Sequence, residues 1–144
     1  MQRKLVHRDT RRWVRWGLAL IWMALIFVLS AQPSLPYPPD AAVDVVLKKL
    51  AHVTEYGVLA LMVWWALHPR DVALDARWFL AAFAVAVLYA LSDEWHQTFV
   101  PGRHGNVYDW TVDLAGAGIA LVVLRIGLLR RARYCPDGNL PSVT

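Results

Sequence analysis

The chain has 144 residues, 58% of them hydrophobic and 18% charged, with a mean hydropathy of +0.37. Soluble domains average roughly 45–50% apolar and about 25% charged, so the composition argues against a soluble protein and for one compact membrane unit. The net charge of +4 does not point to nucleic acid, because the basic residues cluster beside apolar runs, and the single cysteine, Cys135, excludes an internal disulfide or a multi-cysteine metal site.

Residues 1–15 are basic and precede a charge-free run from Trp16 to Ala31. That run falls a little short of the ~20 residues expected of a membrane span, and Trp13, Val14 and Arg15 extend it. A cleavable signal peptide is the alternative, but Leu29 is a poor residue three before a cut after Ala31. Four prolines then interrupt Ala31 to Val46, which reads as an extended loop outside the membrane. Leu47 to Leu67 is the second span, polar in its first two turns. A short connector follows, with Pro69 as a stop. Trp78 to Leu91 is the third span and needs part of SDEWHQ to reach bilayer length. Pro101-Gly102 marks a turn, and Trp110 to Leu129 is the fourth span. The sequence thus predicts an all-α, four-helix transmembrane bundle over residues 16–129, between a basic segment 1–15 and a tail 130–144.

With four spans, twelve of the fifteen Lys and Arg residues fall on the side that holds both termini. The other side has Lys48, Lys49 and Arg103. The positive-inside rule places both termini in the cytoplasm. Trp13, Trp16, Trp64, Trp65 and Trp78 then fall at inner boundaries, and Trp95 and Trp110 at outer ones, as an interfacial aromatic belt requires.

This topology brings the polar ends of spans two, three and four together at the outer leaflet. Lys48, His52, Glu55 and Leu59 share one helical face, with Glu55 about 4.5 Å deeper than His52. Asp93 is in register with His96 and Gln97. Asp109, Asp113, Gly116 and Ala120 form a stripe whose small residues permit close helix packing. Carboxylates a turn inside a membrane are costly unless they are paired or line a functional site. Glu55, Asp93 and His52 are the candidate acid–base groups, and Lys48, Glu94, Gln97, Arg103, Asp109 and Asp113 complete a candidate binding site. Arg103 could clamp a phosphate or neutralise Asp93 and Glu94. An ion-pair network with Lys48 and Arg103 would satisfy the carboxylates without any catalysis. Histidines and carboxylates suit a divalent metal, yet no HExxH or comparable spacing is present, so neither a tightly held metal nor another cofactor is expected.

The blocks KKLAHVTEYGVLAL (residues 48–61) and ALSDEWHQTFVPGRHGNVYDWTVDLAGAGIA (residues 90–120) resemble the VanZ-like family of small membrane proteins. Positions matching its pattern include Tyr56, Ser92, Pro101 and Gly102 besides the candidate site residues. The resemblance implies a bacterial cytoplasmic-membrane protein of the cell envelope, in a family whose founding members are linked to low-level teicoplanin resistance. It carries no settled reaction. An enzyme acting on a lipid-linked or anionic envelope substrate, a binder of such a precursor or of another envelope protein, and a small transporter all remain open. In the enzyme reading Glu55 or Asp93 is acid–base, His52 a proton shuttle and Arg103 the head-group anchor. Transporters place their sites near the midplane, which these one-sided polar groups do not match. Membrane lipids are the expected surroundings.

Overall fold

The computed structural model describes residues 2–32, 41–68, 75–101, 103 and 107–134, with the side chains of residues 2–10, Ala41 and Asp44 left aside. Four helices follow one another: α1 (Gln2–Ser30), α2 (Ala41–Leu67), α3 (Ala76–Gln97) and α4 (Val107–Tyr134). Each is long and apolar enough to cross a membrane, and no strand occurs among the described residues. The expected all-α four-span bundle is therefore observed.

The helices are longer than hydropathy alone indicates. α1 runs back through the basic segment to Gln2, because the stretch from Gln2 to Arg15 contains neither glycine nor proline to stop it. α4 likewise continues past Leu129 to Tyr134, two residues before Pro136. α2 begins at Ala41, so the loop expected to reach Val46 is shorter by six residues. The last proline of that stretch is Pro39, and nothing in AAVDVV opposes helix. α3 starts at Ala76, where Asp75 in an extended conformation accepts a hydrogen bond from Arg77 N. This cap satisfies one of the amides that a helix start leaves without a partner. The proline-rich residues 33–40, Pro69, Gly102, His104 and Cys135 lie outside the described residues.

α2 is the central helix. It packs on each of the other three, most extensively on α4, while α1 and α4 do not touch. The buried core along α2 is Tyr56, Leu59, Ala60 and Val63, met by Ile26 from α1, Ala82, Ala86 and Ala90 from α3, and Ala117 and Leu121 from α4. Alanines dominate on the α3 face, and small residues let helices approach closely where dispersion, rather than water exclusion, holds a bundle together in lipid. The outward faces carry Leu20, Ile21, Leu80, Leu88, Ile119 and Val123, all well exposed. That arrangement suits a hydrocarbon solvent and would be costly in water.

α2 and α4 both start at the same end of the bundle and run parallel. They cross closely where Gly57 faces Gly116 and Ala120: a Cβ built on Gly57 would stand 3.4 Å from Gly116 O and 3.5 Å from Ala120 Cβ. At Gly116 a Cβ would overlap Val53 O and come within 2.8 Å of Val53 Cα, so no larger residue fits without separating the helices. This crossing sets the register of the polar turns directly above it.

Candidate functional site

The parallel pairing of α2 and α4 produces a polar ladder at the end where both helices begin. At the rim, Lys49 Nζ donates to Asp109 Oδ1 at 3.1 Å, with the two side chains 45% and 36% exposed. Asp109 lies in the first turn of α4, where the helix dipole also favours a carboxylate. One turn deeper, His52 Nδ1 contacts Asp113 Oδ1 at 2.9 Å, and the Asp113 side chain is fully buried. Below that pair, Val53 packs against Gly116. The glycine contact thus holds His52 and Asp113 within bonding distance. The second oxygen of Asp113, Oδ2, is buried and has no hydrogen-bond partner.

A second thread links α1 to α3. The inward stripe of α3 is Phe79, Ala82, Ala86 and Ala90, and it continues without a change of face into Asp93, Glu94 and Gln97, all buried. Ser30 Oγ, at the end of α1, donates to Asp93 Oδ1. Gln97 Nε2 donates to Asp93 Oδ2 at 3.0 Å, so both carboxylate oxygens are satisfied. Arg103 closes this thread from the turn after α3. Its Nη1 donates to Gln97 Oε1 at 3.3 Å and its Nε to Gln32 O at 3.0 Å. The turn itself is built by Phe99 N to His96 O and Val100 N to Gln97 O.

Glu55 joins the two threads. It lies on α2 within electrostatic range of His52, Asp113, Asp93 and Arg103. Its main-chain oxygen accepts from Trp22 Nε1 of α1 at 3.0 Å. Tyr56, next to it, is wholly buried with its hydroxyl near Asp93 but without a hydrogen bond of good geometry. Four carboxyl groups, those of Glu55, Asp93, Glu94 and Asp113, therefore converge inside the polar end.

Most of the residues expected from the sequence are brought together: His52, Glu55, Asp93, Glu94, Gln97, Arg103, Asp109 and Asp113. Three details add to these expectations. Lys48 lies at the exposed rim and is itself engaged, and Lys49, one residue on, reaches Asp109. The difference is one of helical phase, since a step of 100° turns Lys49 rather than Lys48 toward α4. Of the two partners expected for Asp93, Gln97 is one, but the ring of His96 stacks on Phe27 at 4.3 Å between centroids. Arg103 meets the acidic groups through the Gln97 amide, with no direct ion pair to Asp93 among the bonds described. The reading of spans two to four alone missed Ser30, Gln32 and Trp22. Span one ends at the same face as span three, so its terminal hydroxyl and amide were the available signal.

The architecture defines a small multi-pass membrane protein with a buried polar network at one end of its bundle. The profile of the VanZ/LLP1 family matches residues 15–130, and the chain belongs to that family. No curated protein and no solved structure matches it.

Proposed function

We propose that this protein resides in the bacterial cytoplasmic membrane, with its polar end facing outward and both termini in the cytoplasm. There it engages the anionic head group of a lipid-linked envelope precursor and so alters susceptibility to the glycopeptide teicoplanin. The observation that carries this reading is the polar network contributed by all four helices at one end, with Lys48, Lys49 and Arg103 as the cations of its rim. A network serving only to join helices could be replaced by apolar packing at little cost. Here Glu55, Asp93, Glu94 and Asp113 are instead drawn together from three helices. A catalytic role has one specific observation in its favour, the His52–Asp113 pair beside Glu55, a histidine oriented by a carboxylate next to a second carboxyl group. A transporter is disfavoured because the network occupies one end and the opposite half of the core is apolar.

The experiment is teicoplanin susceptibility of a sensitive host expressing each variant, with membrane level and detergent melting measured in parallel. Glu55→Gln and Arg103→Gln should abolish the effect while leaving the folded level near wild type. Asp71→Asn and Asp75→Asn should retain it, since asparagine caps a helix about as well as aspartate at position 75. If every loss of effect follows a loss of folded protein, the network is scaffolding. If wild-type expression leaves susceptibility unchanged, the envelope role fails. The orientation has its own test: a membrane-impermeant maleimide should label Cys135 only after permeabilisation, and labelling of intact spheroplasts would reverse it.

A further inference from the structure

We infer that His52, Glu94 and Asp113 form a binding site for a divalent transition cation, of the borderline class represented by Mn²⁺ and Zn²⁺. Each of the three offers a ligand atom, and these atoms all lie within 4.8 Å of one another. They come from three different helices, α2, α3 and α4, which is why no ligand spacing shows in the sequence. Neighbouring atoms bound at ~2.1 Å to one such ion stand about 3 to 3.4 Å apart, so side-chain adjustments on the order of 1 Å close the triangle on an ion. The His52 Nδ1 to Asp113 Oδ1 contact of 2.9 Å already has the length of one edge of that polyhedron.

A second observation points independently to a ligand. Asp113 is 1% exposed and its Oδ2 has no hydrogen-bond partner, so a full acceptor faces the interior unsatisfied. A buried polar atom in that condition costs about 1–3 kcal/mol, which a bound cation would remove. Glu55, Asp93, Glu94 and Asp113 also bring four carboxyl groups together, a grouping that favours a cation among them. One imidazole with two carboxylates is a donor set of borderline hardness, suited to zinc or manganese rather than to the softest or hardest ions. Three protein ligands leave coordination positions open. The assignment does not depend on which envelope molecule the protein engages.

The test uses the full chain in detergent, with any affinity tag removed, stripped with chelator and dialysed against Mn²⁺ or Zn²⁺. Elemental analysis should find about one ion per chain for wild type and for Asp75→Asn. Asp113→Asn and Glu94→Gln should lower affinity at least tenfold. Mn²⁺ bound to wild type should show magnetic coupling to one histidine nitrogen, and His52→Gln should remove it. That spectroscopic readout on wild type holds even if a carboxylate variant fails to fold. Absence of saturable binding, or binding that survives both carboxylate changes, overturns the site. So does bound Mn²⁺ without histidine coupling. None of these results depends on teicoplanin susceptibility, so the two proposals fail separately.

Discussion

At the basic end of the bundle Arg15 lies over the ring of Trp65 at 4.9 Å and donates to Trp65 O at 2.8 Å, while Arg77 covers Trp78 and Arg125 approaches Phe79. His68 stacks on Trp64 there, and burial, with the nearby Arg15, pushes its imidazole below the ordinary histidine range. At the polar end Asp93 is buried against Ser30 of α1 and Gln97 of its own helix, and Asp113 against His52 of α2. Cations at the first end lean on ring faces, and Arg15 among them is buried with its guanidinium bonded to a main-chain oxygen. At the second end the charges are fixed by short side chains that cannot retreat to water. A charge at the basic end anchors the bundle. One at the polar end commits several helices to a single arrangement.

The sharpest way to break that contrast is to part the helices that hold the polar ladder. Gly116→Leu drives a side chain into the main chain of Val53 and should destabilise the bundle by about 3 kcal/mol or more, at the upper end for overpacking. Thermal unfolding in detergent would register it. Gly127→Ala, with nothing within 4 Å of its Cβ, should not lower the melting point. If the two behave alike, the glycine crossing does not position the site. A smaller loss is expected from Ser30→Ala, which removes a donor from the buried Asp93 carboxylate, at about 1–2 kcal/mol. Smallest should be Arg15→Lys at the basic end, which keeps the charge and the stem but loses the planar fork, at about 0.5–1 kcal/mol. If Arg15→Lys costs more than Ser30→Ala in the same melts, the distinction between anchoring and committing charges is wrong.

The fold was legible because charge-free runs of bilayer length leave few alternatives to helix. The same spacing that marked Asp113 and Gly116 as one stripe also marked a face for close helix packing, while its partner at Gly57 came only from the structure. Helix ends were less legible, since hydropathy marks where lipid begins and the chain stays helical until a breaker intervenes, as at Ala41 and Tyr134. In the site, residues were found where a helical face carried several polar groups, as with His52 and Glu55. Partners were not. The choice of Lys49 over Lys48 depends on about 100° of rotation, and sequence periodicity does not fix rotation against a neighbouring helix. Ser30 was missed because a lone serine at the end of an apolar run has no periodic signal. The grouping of His52 with Glu94 across α2 and α3 depends on packing alone.

The division of the polar end into two threads also bears on how the chain is made. Ser30, Asp93 and Gln97 lie on α1 and α3, so that thread is complete once the third helix has entered the membrane. Lys49 and His52 enter with α2 but find Asp109 and Asp113 only on α4, which is synthesised after α3. Until then the flank of α2 above Gly57 must be sheltered by water or by the insertion apparatus. Arrival of α4 both supplies the missing carboxylates and seals the glycine crossing beneath them. A nascent chain halted after α3 would be half-quenched, carrying an exposed polar flank that membrane quality control can recognise.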